Sequence, residues 1–422
     1  KQDLLKQIKL TNINYFFVWQ GYFPNLKNIK IIKNKKIFII GNKIKGYENF
    51  NNLFLKKDFN FKKNKNYNNF DYILGLTSGS TSKPKIIVFC QKTKILRAKN
   101  AVKLFNLSKN DKLIIGTPFK QSITQRLIFS SLILGATCII MEKFTPKKWV
   151  SFVRNDNISF SILVSSQIEN IASYLDKTKK KLISLKKFVS CCAQLNSYTI
   201  KKILPKLKGN LYDTYGATEV GTLTLSKVTL KKNKENMGKS SRGSKIIFFN
   251  NDKNRISREK GEICVKTKLI FSRYYKNEKL TKKSFIKGFF KTGDYGYKEK
   301  GDLYLTGRSS EVIITGGLNV YSRDIERIID THPDVVQSVA IGVQDKKLGE
   351  AIIVIVKTKK VIPRRNLHIF CANNLADYQQ PFFIDFIKNF PTTGGYNKID
   401  KLKLKSIYSN FNIRRRLKDT FS

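Results

Sequence analysis

The sequence predicts an α/β protein: a large region of doubly wound sheet, then a small β-rich subdomain, then a small α+β unit at the C-terminal end. Three observations carry this. Between residues 86 and 207, short apolar runs alternate with segments of helical periodicity, joined by short connections, which is the pattern of strands and crossover helices in an open sheet. From Lys245 the helical segments give way to short strands separated by turns. Past Gly307, helix and strand return in a shorter series.

The elements follow in order. Residues 1–35 are lysine-rich and carry no clear periodicity. The run 36–41, KIFIIG, reads as a buried strand ended by Gly41. Residues 49–55 read as a short helix and 60–69 as an Asn/Lys loop. A strand over 71–76 enters the polar stretch 77–85, and an apolar run over 86–89 leaves it. Residues 91–107 suit a helix whose apolar face is Ile95, Ala98, Val102 and Phe105. A strand at 112–116 leads into Thr117-Pro118, and a helix over 123–134 ends at Gly135. Strands at 136–141, 159–164 and 187–190 alternate with helices starting near Trp149, Ile168 and Ser197, the last ending near Pro205. Short strands are expected at 246–249, 261–265 and 302–306. The final unit has a helix over 322–329 with Ile325, Ile328 and Ile329 on one face, stopped before Pro333. Strands at 338–343 and 351–357 and a helix at 367–375 complete it.

Composition sets bounds. A chain of 422 residues is long enough for two or three domains with a sizeable core, and 41% hydrophobic content is that of a globular protein. The longest apolar region, 127–141, is broken by Ser130, Ser131, Gly135 and Thr137, so it reads as helix, turn and strand rather than a membrane span. The formal charge of +51 comes mainly from lysines spread over the whole length. That distribution argues against a specific nucleic-acid site, which would concentrate arginine with interleaved aromatics. The basic surface does fit nonspecific contact with polyanions or an anionic membrane. The six cysteines form no C-x-x-C pair, and buried free thiols in a reducing cytoplasm are the simplest account. With only His332 and His368, a zinc centre or a Ser-His-Asp triad is disfavoured.

The stretch 77–85, TSGSTSKPK, holds five hydroxyl side chains, one glycine, one proline and two lysines. Between two strands it offers backbone N–H groups, hydroxyl donors and positive charge in one concavity, which suits a polyphosphate. It is not a Walker A loop, since no glycine comes directly before the lysine and no Ser/Thr follows Lys85. A solvated Gly/Pro turn is the alternative reading.

Further motifs follow in a fixed order: YGATE at 215–219, TGD at 292–294, GR at 307–308, GGLNVYSRDIE at 316–326, and a late lysine, Lys398. Together with TSGSTSKPK, this ordered set resembles the acyl-adenylate-forming superfamily of AMP-dependent synthetases and ligases, from about Asp71 to about Leu404. The motif style is closest to acyl-CoA synthetases.

The resemblance implies an α/β N-terminal domain over residues 1–306, a hinge at 307–311 around Ser310, and a mobile C-terminal lid over 312–422. It implies a two-step reaction in which a carboxylate attacks the α-phosphate of ATP to give acyl-AMP, and coenzyme A then displaces AMP. The implied ATP contacts are Thr77, Ser78, Gly79, Ser80, Thr81 and Lys85 on the phosphates, and Asp213, Thr214, Tyr215 and Gly216 around adenine. Asp294 would accept from both ribose hydroxyls, since a carboxylate has two acceptor oxygens; Arg308 would reach the ribose or a phosphate. Thr218 would reach the α-phosphate, Glu219 would hold Mg²⁺, and Lys398 would neutralise charge developing in the transition state. Gly316 and Gly317 would line the coenzyme A tunnel, and Cys191, Cys192 and Ala193 the acyl pocket.

The chain departs from the family pattern at several points. Ser82, Ile86 and Asn397 stand where glycines are usual, and Cys191-Cys192 replaces two small residues, which should narrow the pocket. Phe119-Lys120-Gln121 replaces the usual gate segment, and only 76 residues precede the phosphate loop, so part of the first subdomain is expected to be absent, through truncation or divergence. The reading is therefore an acid–coenzyme A ligase. A carrier-protein-loading adenylating enzyme and a truncated inactive homologue are its rivals. The acid and the oligomeric state are not specified.

Overall fold

Two alternations of side-chain direction organise the largest part of the molecule. The computed structural model describes residues 8, 10–11, 13–25, 35–54, 69–77, 85–231, 235–250, 255–257, 259–393 and 398–409. The chain divides into two compact units, Lys1–Lys65 and Asn66–Ser422. In the first, β1 (Tyr15–Trp19), β2 (Lys36–Ile40) and β3 (Glu48–Asn49) form a parallel sheet in that order, with Val18, Phe23 and Ile39 as its buried centre. The helix expected at 49–55 is instead a strand residue followed by a 3₁₀ segment, Phe50–Phe54. Asn49 is buried and accepts from the Asn51 N–H, a local turn that competes with α-helix.

In the second unit, β4 (Asp71–Thr77) and β5 (Lys85–Cys90) are antiparallel neighbours, followed by α1 (Gln91–Leu104). Then β6 (Lys112–Ile115), α2 (Ser122–Leu134), β7 (Thr137–Ile140), α3 (Pro146–Asn155), β8 (Phe160–Val164), α4 (Ser165–Thr178), β9 (Lys187–Cys191), α5 (Ser197–Ile203), β10 (Asn210–Ala217) and β11 (Gly221–Lys227) alternate. Their six strands lie in the order β11-β10-β9-β8-β6-β7, parallel except for β11. Strand side chains alternate between faces. Ile114, Leu163, Phe188 and Leu211 pack against Trp149 and Val153 of α3 and Ile168 and Ile171 of α4. Leu113, Ile115, Phe160, Ile162 and Val189 pack on the other side with Ala101 of α1 and Leu127 of α2. Helices on both faces make this a doubly wound sheet.

Local signals fix the helix ends. Thr145 accepts from the Lys148 N–H with Pro146 at the first helical position of α3, and Asn196 accepts from the Thr199 N–H to start α5. Gly135 closes α2 in the left-handed conformation. Helix α1 corrects an expectation. Its buried face is Thr93, Lys94, Arg97, Ala98 and Ala101, whereas Ile95 is exposed.

A β-rich sheet follows: β12 (Asn236–Lys239), β13 (Ser244–Asn250), β14 (Arg255–Ser257), β15 (Lys260–Thr267), β16 (Arg273–Tyr274), α6 (Glu278–Lys283), β17 (Phe285–Ile286), β18 (Phe289–Glu299) and β19 (Asp302–Arg308). Its order is β12-β19-β18-β15-β13-β14, with β17 on β18, while β16 joins β5 instead. The last part has β20 (Val312–Thr315), β21 (Leu318–Tyr321), α7 (Ser322–Ile329), β22 (Val335–Asp345), β23 (Gly349–Thr358), α8 (Arg364–Asn374), β24 (Phe383–Phe386), β25 (Thr392–Thr393), β26 (Lys398–Ile399) and α9 (Lys401–Ser409). One face of its sheet packs on α7 and α8 through Ile325, Ile329, Leu367 and Cys371, the other on α9 through Leu404 and Tyr408. Among the described residues, no helix is long and apolar enough to cross a membrane.

Candidate functional site

The C-terminal ends of parallel strands are where an open α/β sheet presents side chains to a ligand. Here those ends open onto a cleft of about 410 Å³ lined by Cys192, Ala193, Asp213, Thr214, Tyr215, Gly216, Asp294 and Arg308. Residues 399–402 and Glu311 line the same cleft, so the segment after β26 closes one side of it.

Asp294 is its anionic centre. Strands β18 and β19 pair Asp294 directly with Arg308, and Arg308 Nε donates to the Asp294 carboxylate at 2.7 Å. The Tyr215 hydroxyl donates to the other carboxylate oxygen at 3.0 Å. The Asp294 carboxylate holds the Arg308 guanidinium above its ordinary value. Burial, reinforced by Asp294, pushes the Tyr215 phenol well above its ordinary value, so it stays a donor. The turn before Asp294 is fixed from below. Thr292 Oγ1 donates to the Ile263 carbonyl at 2.8 Å, and the Gly293 N–H donates to buried Glu262 at 3.2 Å.

Gly216 sits where strands β10 and β11 crowd. A Cβ built there would meet the Gly221 carbonyl oxygen at 2.1 Å, so the position admits no side chain. Thr214 Oγ1 donates to the Ser190 carbonyl, tying β10 to β9 beside Cys191. Cys191 is buried, but Cys192 is exposed to the cleft with φ of 72°. The expectation of buried thiols holds for Cys191, Cys264 and Cys371, while Cys90 and Cys138 are half-buried and Cys192, a left-handed residue at the strand end, turns its side chain out.

Glu219 and Thr218 lie in the turn between β10 and β11. Their backbone is clamped by Arg97, which is 2% exposed. Arg97 Nη1 donates to the Thr218 carbonyl at 2.9 Å, Nη2 to the Glu219 carbonyl at 2.7 Å, and Nε to the Leu269 carbonyl at 2.7 Å. Burial and the neighbouring Arg126 pull this guanidinium down, to about 9, while Glu219 opposes the shift; it remains charged at neutral pH. The Glu219 carboxylate accepts from the Tyr274 hydroxyl at 3.1 Å. Lys85 in turn stands over the Tyr274 ring, 5.6 Å from its centroid. Tyr274 thereby links the Glu219 turn to the end of the stretch 77–85. Neither Arg97 nor Tyr274 was marked by any motif. Arg97→Met should remove about 3 kcal/mol or more of unfolding free energy, because three buried carbonyls lose charged donors, and a lower urea midpoint would register it.

Several expected site residues fall outside the described side chains. Ser78, Gly79, Ser80 and Thr81 lie outside the described residues. Of Thr77, Ser310 and Lys398 only the backbone is described: Thr77 pairs with Lys85, Ser310 is in the 3₁₀ segment Ser309–Glu311, and Lys398 pairs with Thr393. Gly316 and Gly317 form the two-residue turn of the β20–β21 hairpin, with φ of 55° and 80°. Two successive positive φ values are what such a turn demands. Neither is among the residues lining the cleft.

Ion pairs run within the C-terminal part of the chain and from it to the residue before β12. Lys401 donates to Glu311 at 2.8 Å and to Glu326 at 2.9 Å, joining α9, the segment after β19, and α7. Arg327 of α7 pairs with Glu235, the residue before β12, at 3.2 Å.

Comparison with known proteins agrees with this arrangement. A family model described as AMP-binding enzyme matches residues 35–275, and one described as AMP-binding enzyme C-terminal domain matches 324–395. The chain is 27% identical over 334 residues to a 2-succinylbenzoate–CoA ligase of Bacillus licheniformis, covering 78% of this chain and 68% of that protein. It is 28% identical over 331 residues to an oxalate–CoA ligase of Arabidopsis thaliana, covering 75% and 64%. Among solved structures, ATP-bound MatB from Rhodopseudomonas palustris superposes with a TM-score of 0.85 at 21% identity, over 97% of this chain and 82% of that one.

Proposed function

This chain belongs to the AMP-binding enzymes, and from that membership we propose that it is an ATP-dependent acid–thiol ligase. It activates a carboxylic acid as acyl-AMP and transfers the acyl group to coenzyme A. The observation that carries the reading is the convergence, in one cleft, of the Asp294–Tyr215–Arg308 set with Cys192 and Ala193. A diol acceptor and an acyl-lining segment meet there, at the ends of the sheet strands.

In this reading the Asp294 carboxylate takes both ribose hydroxyls, oriented by Tyr215, and Arg308 turns toward ribose or phosphate. Asp213, Thr214, Tyr215 and Gly216 hold adenine, Gly216 because nothing larger fits between the strands. The hydroxyls and N–H groups of residues 77–81, with Lys85, take the β- and γ-phosphates. Thr218 reaches the α-phosphate. Lys398 approaches the reacting carboxylate and α-phosphate, where its charge stabilises the transition state.

Glu219 suits Mg²⁺, which commonly takes one or two carboxylates and otherwise phosphate and water oxygens. Its carboxylate is oriented by Tyr274 and stands beside the Lys85 end of the phosphate loop. Bound there, Mg²⁺ would neutralise polyphosphate charge. Glu219→Gln is expected to raise the Mg²⁺ concentration for half-maximal turnover about tenfold or more; a Mg²⁺ titration unchanged from wild type would remove Glu219 from the metal site.

Thioester formation follows after the 312–422 lid turns about Ser310, bringing Gly316 and Gly317 to the thiol's path, while residues 191–193 hold the acyl group. The free cysteines support a cytoplasmic enzyme. The test supplies ATP, Mg²⁺, coenzyme A and a panel of aliphatic and aromatic acids that includes 2-succinylbenzoate and oxalate. AMP and a thioester should appear together with at least one acid. Transfer only to a holo-carrier protein, with none to coenzyme A, would replace the acceptor in this reading.

A further inference from the structure

The end of β9 carries two adjacent thiols, Cys191 and Cys192. Their sulfurs lie 3.6 Å apart. Cys191 points inward, and its Sγ donates to the Leu163 carbonyl at 3.4 Å. Cys192 is the one exposed cysteine among the described residues, and it lines the cleft. One sulfur is open to solutes that enter the cleft, and the second stands within reach of the first.

Backbone and charge both mark this pair. Cys192 holds a left-handed φ of 72°, which glycine adopts freely and a residue with a Cβ adopts only at a cost. Cysteine occupies the position all the same. The buried guanidinium of Arg126 is close enough for both thiols to act on it. A cation beside a cysteine favours its thiolate, the reactive form. The contact with Cys192, together with burial, holds the Cys191 thiol well above its ordinary value. Cys191 therefore stays protonated, and the exposed Cys192 is the sulfur that meets an oxidant first.

We propose that Cys191 and Cys192 form a redox modification site, joined by hydrogen peroxide into a vicinal disulfide that reversibly weakens nucleotide binding in the cleft. The Cys192 thiolate attacks one peroxide oxygen, the O–O bond breaks, and hydroxide leaves to be protonated by solvent, giving a sulfenic acid. The Cys191 sulfur then attacks Cys192 Sγ. The S–O bond breaks, and the hydroxyl leaves as water with the Cys191 proton. In sum, two thiols become one disulfide and the peroxide is reduced to two waters.

The bond so formed is of the labile kind. Adjacent Cα atoms across a trans peptide are about 3.8 Å apart, against about 4.4–6.8 Å in ordinary bridges. A bridge this short is strained and easily reduced, which suits regulation rather than structure. Its closure must also bend the backbone at residues 191 and 192. Ser190, the residue before them, pairs with Asp213 across β9 and β10, and its carbonyl accepts from Thr214 Oγ1 at 3.0 Å. The distortion thus reaches the segment assigned above to adenine. The covalent step stands apart from the ligase reading; the effect on ATP rests on the nucleotide site of that reading.

The test treats the full chain with equimolar hydrogen peroxide and follows it by peptide mass and by ATP titration calorimetry. The peptide holding both residues should lose two hydrogen atoms, and ATP affinity should fall about tenfold, the equivalent of one lost hydrogen bond. Dithiothreitol should reverse both. In Cys191→Ala the Cys192 sulfenic acid has no resolving thiol and should be trapped by dimedone, whereas Cys192→Ala should give neither disulfide nor dimedone adduct at this peptide. A peptide left reduced, or one that gains oxygen in the wild type without losing the two hydrogens, would overturn the proposal. A disulfide that leaves ATP affinity unchanged would overturn it too. Untreated protein that binds no ATP would overturn the nucleotide-site reading, and the regulatory half of this proposal with it.

Discussion

Asp294→Ala is expected to lower kcat/KM for ATP by about 10²-fold or more, mostly through KM. The substitution removes two charged acceptor oxygens from a position that the sheet holds rigidly. Asp294 is 5% exposed and faces Arg308 across paired strands, and its preceding turn is bonded to Ile263 and Glu262. Each hydrogen bond to a charged group contributes about 1.5–3 kcal/mol. Two ribose hydroxyls lost together therefore account for the expected size. The fold should survive, because Tyr215 keeps Thr292 as an alternative partner at 3.3 Å and the Arg308 side chain is 41% exposed. ATP titration by calorimetry, beside a urea melt, separates the two effects. An ATP affinity unchanged in this variant would remove Asp294 from the nucleotide site.

Lys398→Ala is expected to lower pyrophosphate exchange by about 10²–10³-fold while leaving thioester formation from supplied acyl-AMP largely intact. Only the first half-reaction develops the charge that this lysine would neutralise. The neighbouring Lys401 cannot substitute for it, being bound to both Glu311 and Glu326. Although burial opposes it, those two carboxylates raise the Lys401 amine above its ordinary value, which keeps it charged and in place. Equal loss in both half-reactions would mean that Lys398 acts on the lid's position and not on the chemistry.

Much of this was legible from sequence, and the reasons differ between parts. Strands of the doubly wound sheet are continuous apolar runs because both faces are covered, and such runs are easily read; β8, FSILV, is buried at every position. Helix α7 matched its expected bounds, Ser322–Ile329, since an isoleucine stripe and a following proline mark it twice. Residues Asp213–Gly216, Asp294 and Arg308 were singled out by the family resemblance of their motifs, and the structure places them along one cleft.

What the sequence concealed is polar and buried. Helix α1 was assigned an apolar face through Ile95, Ala98, Val102 and Phe105; Ala98 and Phe105 are buried as expected, yet the helix also turns Lys94 and Arg97 inward and leaves Ile95 exposed. Hydrophobic periodicity has no term for a cation whose burial is compensated by carbonyls at residues 218, 219 and 269, more than a hundred positions away. Tyr274 was hidden for the same reason, as was the Arg308–Asp294 pairing, which depends on the register of β18 against β19. Cys192 was expected along a pocket, but its left-handed backbone was not foreseeable.

The central claim is that this cleft joins a carboxylate to AMP. Exchange of labelled pyrophosphate into ATP, with and without added acid and in the absence of coenzyme A, tests it most directly. The account predicts exchange that depends on both Mg²⁺ and a carboxylic acid and is strongly reduced in Lys398→Ala. No exchange above background with any acid of the panel, in protein that still binds ATP, would contradict it.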